Sequence, residues 1–140
     1  MEESQFEALH ADIFSHFKET KSEKAVTYTE FEDGIRQVMD YYLGFSRSEK
    51  GMLQALKSMK TLEEYVPRLE ATTLRELMRV RESMELFKLV RIYIQACMQR
   101  KESGRAMYRR VDYPNLDPSL NKCLITTLDK DGNPSFDWTK

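Results

Sequence analysis

The chain has 140 residues, a formal net charge of -1 and 41% hydrophobic residues. This length predicts one domain, because a chain of this size buries roughly two thirds of its unfolded surface in a single core. The near-neutral charge argues against a nucleic acid or an anionic membrane as a partner bound by bulk electrostatic attraction. No apolar run approaches the roughly 18 residues needed to span a bilayer, and the acidic N-terminus is unlike a signal peptide. We therefore expect a cytoplasmic protein without a membrane span.

Residues 1–26 predict an N-terminal helix followed by a linker. Apolar side chains recur at helical intervals at the start of this segment, and a polar stretch from Lys21 to Ala25 follows them. The apolar stripe consists of Phe6, Leu9, Ile13, Phe14 and Phe17.

Four hydroxyl residues that precede a glutamate by three positions predict helix starts, because this spacing satisfies unpaired amides at a helix N-terminus. They are Thr27, Ser46, Thr61 and Thr73. The first predicts a helix that ends at Gly44 in a left-handed cap. The second predicts a shorter helix through Leu62, and Pro67 interrupts any helix begun at Thr61. We expect one helix, a break and a short turn in this second segment.

The longest helix is predicted from Leu74 to about Glu102. Its apolar residues repeat by three and four and cover much of its circumference, so it must be buried on two sides. The stripe includes Leu77, Val80, Met84, Phe87, Val90, Ile94 and Cys97. With the two preceding helices it predicts a mainly α fold, a spectrin-like, antiparallel three-helix bundle over residues 27–103.

Residues 104–140 predict a charged corner and a β-hairpin tail. Two segments of strand-like composition, Lys122–Leu128 and Ser135–Trp138, flank a turn sequence that contains Gly132. Because two strands alone are marginally stable in water, we expect the hairpin to rest on the bundle or on another polypeptide.

No pattern in the chain predicts a catalytic, metal or cofactor site. His10 and His16 are six positions apart, which places them on different faces of a helix. Cys97 and Cys123 have neither the number nor the spacing of a disulfide framework or a zinc site, so reduced thiols are expected. The five glycines are scattered singly, unlike a phosphate-binding loop. We therefore do not expect enzymatic activity from the isolated chain.

The segment 100–110 is unusual because it carries five cations against one acid. The cations are Arg100, Lys101, Arg105, Arg109 and Arg110. The dipole of the long helix accounts for Arg100 and Lys101 at its negative end, but not for the arginines beyond Gly104. Contact with RNA or DNA phosphates is disfavoured by the net charge and by the lack of a known nucleic-acid motif. The segment therefore predicts a docking surface.

Three segments together carry a resemblance to a known family. They are Gly44-Phe45-Ser46-Arg47-Ser48-Glu49-Lys50-Gly51-Met52, Arg100-Lys101-Glu102-Ser103-Gly104-Arg105, and Arg109 with Asp112-Tyr113-Pro114. The chain resembles the C-terminal helical domain of the fumarate reductase/succinate dehydrogenase flavoprotein family, whose relatives include L-aspartate oxidase and adenylylsulfate reductase. The resemblance covers roughly Tyr28 to Phe136. The order of Gly104 and Arg105 is exchanged relative to the usual family corner.

The resemblance implies a non-catalytic helical module or small subunit of an FAD-dependent oxidoreductase. FAD would lie in a flavin-binding domain or subunit, and that flavoprotein would be the partner of this chain. The implied interface candidates are Arg100, Glu102, Arg105, Arg109, Asp112 and Tyr113. The alternative is an autonomous helical adaptor or regulatory protein that uses residues 100–110 to bind a protein or a nucleic acid.

Overall fold

The computed structural model describes residues 3–104 and 109–140. The helices are α1 (Glu3–Phe14), α2 (Tyr28–Leu43), α3 (Glu49–Glu63) and α4 (Leu74–Gln99), with 3₁₀ turns at Val66–Arg68 and Pro118–Leu120. The strands are β1 (Ser46–Arg47), β2 (Arg109–Arg110), β3 (Leu124–Leu128) and β4 (Pro134–Trp138). The prediction of a mainly helical bundle with an extra N-terminal helix and a C-terminal hairpin is confirmed.

The core lies between α2, α3 and α4. Each helix contributes a stripe of buried residues, and α4, which at 26 residues is about 39 Å long, contributes along most of its length. The rings of Phe31 and Phe87 meet at the centre of this core, with centroids 5.5 Å apart. The other buried apolar residues of these helices are Ile35, Val38, Leu43, Met52, Ala55, Met59, Leu77, Val80, Val90, Ile94 and Cys97.

Two of the predicted helix starts are confirmed. Thr27 caps α2 in a complete capping box, in which its hydroxyl accepts the Glu30 amide while the Glu30 carboxylate accepts the Thr27 amide. Thr73 caps α4 by accepting the Glu76 amide at 3.2 Å. Both signals are local, so they form whenever the following residues are helical.

The other two predicted starts are wrong. α3 is capped by Ser48, which accepts the Gly51 amide at 3.1 Å, because Ser46 is extended in β1 and pairs with another strand. Thr61 lies in the last turns of α3, where its hydroxyl donates to the Lys57 carbonyl four residues back.

The end of α2 also differs from its prediction. Gly44 has φ -60°, so it is not a left-handed cap, and the chain continues extended into β1. Arg47 satisfies the carbonyls at this helix end, since its Nε donates to the oxygens of Leu43 at 3.1 Å and Gly44 at 3.2 Å. A side chain four residues away thus does what the left-handed glycine was predicted to do.

The predicted N-terminal helix is observed as α1, but none of its residues is buried. The segment after it is attached by two isolated parallel bridges, Phe17 to Ala71 and Val26 to Leu69. Phe17 and Val26 pack against the core of the bundle. The division of the chain at residues 26 and 103 stays a prediction.

The hairpin forms as predicted, with Leu124 opposite Trp138 and Leu128 opposite Pro134. Gly132 has φ +79° in its turn, a conformation that glycine adopts without strain. The Arg100 guanidinium lies over the Trp138 ring at 4.9 Å and connects the hairpin to the end of α4. No helix among the described residues is long and apolar enough to cross a membrane.

Candidate docking site at the end of the long helix

We use "the corner" for residues 100–104 and 109–117, which follow α4. The corner is fixed to the link between α2 and α3 because β2 pairs in parallel with β1, with Ser46 opposite Arg109 and Arg47 opposite Arg110. The Val111 amide continues this pairing by donating to the Arg47 carbonyl at 2.9 Å. The two segments are more than sixty positions apart, so the corner closes one end of the bundle.

Arg110 is the centre of the corner, and its side chain is fully buried. Its Nε donates to Asp112 Oδ1 at 2.8 Å and its Nη2 donates to Asp112 Oδ2 at 2.6 Å, which forms a bidentate pair. Its Nη1 donates to the carbonyls of Cys97 and Arg100, each at 3.2 Å. These carbonyls belong to the end of α4, so the buried cation also complements the negative end of the helix dipole.

Asp112 connects this pair to α3. Its Oδ2 accepts the backbone amide of Glu49, the first residue of α3, at 2.9 Å. The Arg110 guanidinium holds the pKa of the Asp112 carboxyl at about 2, against an opposing contribution from burial. One ion pair therefore joins the C-terminal end of α4 to the N-terminal end of α3.

Two polar residues of the corner, Glu102 and Ser103, are buried. The Ser103 hydroxyl accepts the Arg110 amide at 2.6 Å and lies 2.7 Å from the Tyr113 carbonyl, to which it donates. The Glu102 carboxylate accepts a hydrogen bond from Arg100 and another from the Asp117 amide at 3.2 Å. Glu102 and Ser103 thus connect the first segment of the corner, residues 100–104, to the second, residues 109–117.

Two of the predicted interface residues reach the surface of the corner as cations. Arg109 is exposed on β2. Arg100 keeps 22% of its side chain exposed, while its guanidinium donates to Glu102 and to the carbonyls of Leu120 and Lys122, at 3.1 and 3.0 Å.

The remaining candidates take different positions. Tyr113 is half-buried, with Arg110 at 5.1 Å and Lys101 at 5.8 Å from its ring centroid. Asp112 keeps 28% of its side chain exposed, whereas Glu102 has no exposed surface. Arg105 lies outside the described residues. The structure thus gathers the described candidates around Arg110, and their role at an interface stays a prediction.

Sequence reasoning missed the central position of Arg110, although one signal was present. Residues two apart on an extended chain point to the same side, so Arg110 and Asp112 could have been paired once β2 was recognised. Arg47 was also missed as a partner of Cys97, whose sulfur accepts its Nη1 at 3.1 Å. No local pattern predicts that contact, because it spans 50 positions.

Exposed apolar side chains lie in the corner and next to it. Phe45 is 64% exposed, Val111 54% and Leu116 52%. Together with the exposed cations Lys101 and Arg109 they form a mixed apolar and basic surface. Large exposed apolar side chains beside an arginine are features of surfaces that bind protein.

The family model that describes the C-terminal part of the fumarate reductase flavoprotein matches residues 32–140. The chain belongs to this family. The matched range contains α3, α4, the corner and the hairpin, together with most of α2. The family resemblance inferred from the sequence is therefore confirmed.

Solved structures of related enzymes share the fold. Adenylylsulfate reductase from Archaeoglobus fulgidus has a TM-score of 0.86 at 20% identity and covers 99% of this chain. Sdh1 from Mycobacterium smegmatis has a TM-score of 0.82 at 17% identity and also covers 99%. FrdA of the Escherichia coli quinol fumarate reductase has a TM-score of 0.74 at 19% identity and covers 98%. This chain spans about a quarter of each of them, 24% in all three cases. No curated protein matches the sequence.

Proposed function

We propose that this chain is the non-catalytic helical module of an FAD-dependent oxidoreductase of the fumarate reductase/succinate dehydrogenase type. In this proposal the corner packs against the flavin-binding part of the enzyme. The observation that carries the proposal is the family match over residues 32–140, which includes every element of the corner. The likeness of the whole chain to about a quarter of much larger solved chains supports the same assignment.

FAD is assigned to the flavin-binding part because the described residues do not fit a dinucleotide. Such a site needs clustered glycines at a helix N-terminus, whereas Gly34 lies within α2, the Gly51 amide already donates to the Ser48 hydroxyl and Gly132 lies at the hairpin turn. Every buried side-chain nitrogen and oxygen in residues 3–104 and 109–140 already has a hydrogen-bond partner. No buried polar side-chain atom of the described residues is therefore left unpaired in a way that points to an enclosed flavin site.

The geometry of the corner suggests separate roles for its residues. Arg109, exposed on β2, would contact the flavin-binding part directly, and a guanidinium there suits a carboxylate on the partner. Glu102 and Asp112 would not contact the partner themselves, but would hold the side chains of Arg100 and Arg110 in place. A surface held in one conformation before binding loses less conformational entropy in the complex. The buried pairs would therefore favour association without touching the partner.

The proposal is tested by mixing the full chain with a flavin-binding polypeptide of this family that lacks its own helical bundle. The two are separated by size-exclusion chromatography, and the visible absorbance of oxidised flavin is followed across the elution profile. We expect flavin to co-elute with the chain. We expect Arg109→Glu to weaken this association by about tenfold, since it places a repulsive charge at the contact.

Arg75→Glu is the matched control. Arg75 is also an exposed arginine, but it lies in the first turn of α4, about 35 Å along the helix from the corner. It should leave the association unchanged. Absence of any flavin-containing complex, or equal losses for the two variants, would overturn the proposal. Oligonucleotide binding with a steep salt dependence would instead support the adaptor alternative.

A further inference from the structure

A groove of about 930 Å³ lies next to the corner, between the bundle and the base of the hairpin. Its walls come from four parts of the chain that the sequence separates widely: the link after α2, the last turns of α4, the segment that enters β3 and Thr139 after β4. We call it the hairpin groove. The lining residues on which the argument depends are Phe45, Arg47, Tyr93, Arg100, Lys122 and Cys123.

The lining of the hairpin groove is positively charged. Among the described residues that line it are the cations Arg47, Arg100 and Lys122, and none of these lining residues is acidic. Glu102, buried behind Arg100, offsets one of these charges, so the groove keeps a net positive charge of about two. A chain with an overall charge of -1 thus concentrates positive charge at this place.

Aromatic side chains form the rim of the hairpin groove. Phe45 is 64% exposed and Tyr93 is 41% exposed, although both are large enough to be buried in most proteins. The Arg47 guanidinium lies 5.6 Å from the Tyr93 ring centroid, so charge and aromatic surface occur side by side. Wide exposure of aromatic rings favours a polypeptide over a small molecule, because a small ligand would leave most of this surface in water.

The hairpin groove is continuous with the corner. Arg47 lines the groove and, in β1, pairs with Arg110 of the corner, while Arg100 belongs to both surfaces. A partner that covers the exposed face of the corner would therefore also contact the groove.

We propose that the hairpin groove receives an acidic segment of the flavin-binding part, with carboxylates facing Arg47, Arg100 and Lys122 and an apolar side chain packed between Phe45 and Tyr93. This inference rests on the proposed function and adds to it the chemistry of the partner segment. It also extends the interface beyond the residues that the sequence predicted, to the base of the hairpin.

The chain contains a probe for this occupancy. Cys123 is exposed and lines the groove, whereas Cys97 is buried. Alkylation of the full chain by iodoacetamide, read peptide by peptide in a mass spectrometer, reports the accessibility of Cys123 in the free chain and in the complex with the flavin-binding polypeptide. We expect Cys123 to react readily in the free chain and at least about tenfold more slowly in the complex, because a seated segment would exclude the reagent.

Charge reversal supplies an independent measurement. Lys122→Glu changes a cation that lines the groove, and Lys130→Glu makes the same change at the exposed turn of the same hairpin. We expect Lys122→Glu to weaken the complex by about tenfold and Lys130→Glu to weaken it less than twofold. The weakening by Lys122→Glu should diminish at high salt, which screens exposed charges.

The outcomes separate this proposal from the one on which it rests. If the complex forms but Cys123 reacts as fast as in the free chain, and the two lysine variants associate equally, the groove proposal is overturned and the helical module assignment stands. If no complex forms, both fail. Protection of Cys123 in the free chain by malonate, with a change in the fluorescence of Trp138, would also overturn it in favour of a small carboxylate ligand. Trp138 is the single tryptophan of the chain and contacts Arg100.

Discussion

Replacement of the buried Arg110 by methionine should destabilise the whole bundle. Methionine fills a similar length but offers no hydrogen-bond donor. The substitution leaves the Asp112 carboxylate without its bidentate partner and the carbonyls of Cys97 and Arg100 without the donor at 3.2 Å. Removal of one member of such an ion pair is costly because the other charge loses its partner and regains only part of its hydration.

The expected loss can be placed within a range. Breaking a fully buried pair costs about 3–5 kcal/mol, and the lower end applies because 28% of the Asp112 side chain is exposed and can be hydrated. We expect the free energy of unfolding to fall by about 3 kcal/mol. For a chain of 140 residues this corresponds to a decrease in Tm of about 9 °C.

Urea unfolding followed by far-UV circular dichroism measures this loss. The control is Lys88→Met, since Lys88 pairs with Glu85 at the surface, and the two side chains are 61% and 64% exposed. This exposed pair should contribute less than about 0.5 kcal/mol. In a double-mutant cycle with Asp112→Asn, the two corner substitutions should be non-additive by at least about 1 kcal/mol. A loss below about 1 kcal/mol for Arg110→Met, or additive losses in the cycle, would refute the coupling inferred from the geometry.

Three further predictions follow from individual contacts. The pKa of Asp112 is lowered from 3.8 to about 2, so the Asp112 carboxylate should stabilise the fold relative to the Asp112→Asn variant above pH 3.8, and this advantage should be lost as the pH falls through about 2. Urea unfolding midpoints of the two proteins, measured as a function of pH, check this. A difference between the two midpoints that does not change with pH would contradict it. Thr27→Ala should cost about 1 kcal/mol in urea unfolding and Thr61→Ala clearly less, because only Thr27 caps a helix; equal costs would contradict this assignment. Ser83→Ala should cost about 1.5–3 kcal/mol in the same assay, since the buried Ser83 hydroxyl donates to the Glu32 carboxylate at 2.6 Å; a cost near zero would show that this bond is replaced by another.

The helices could be predicted from the sequence because their signals are local. α4 needs only its apolar repeat and the Thr73 cap, and α2 needs only its stripe and the Thr27 capping box. The hairpin is equally local, because its strands and turn lie within fifteen residues, from Leu124 to Trp138. Such features form from neighbours along the chain, so the order of the elements follows from the sequence alone.

The errors arose where another contact, either a distant strand pairing or a neighbouring side chain, overrides the preference of a single residue. Ser46 has the spacing of a helix cap, but its backbone pairs with Arg109 in a strand. Ser48 therefore caps α3 instead. Gly44 has the composition of a left-handed cap, but Arg47 binds the carbonyls that such a cap would satisfy. Each alternative depends on a segment or side chain whose position is fixed only after the bundle has closed.

The sequence shows how many charged residues the corner contains, but not which of them are buried in ion pairs and which are exposed. A run of cations predicts a strongly positive surface, yet the Arg110 side chain is fully buried in an ion pair. The Arg100 guanidinium donates hydrogen bonds to Glu102 and to two backbone carbonyls. Arg110 therefore stabilises the end of α4 without reaching a partner, whereas Arg100 stabilises the same helix end and keeps 22% of its side chain exposed at the hairpin groove. Among the described residues, Lys101 and Arg109 remain as exposed cations of the corner. Because Arg109 immediately precedes the buried Arg110 and is paired with β1, its backbone is held in place. Binding of a partner carboxylate to Arg109 would therefore restrict little backbone motion of this chain and lose little conformational entropy. Among the described residues, we consequently expect charge reversal at Arg109 to affect docking most directly.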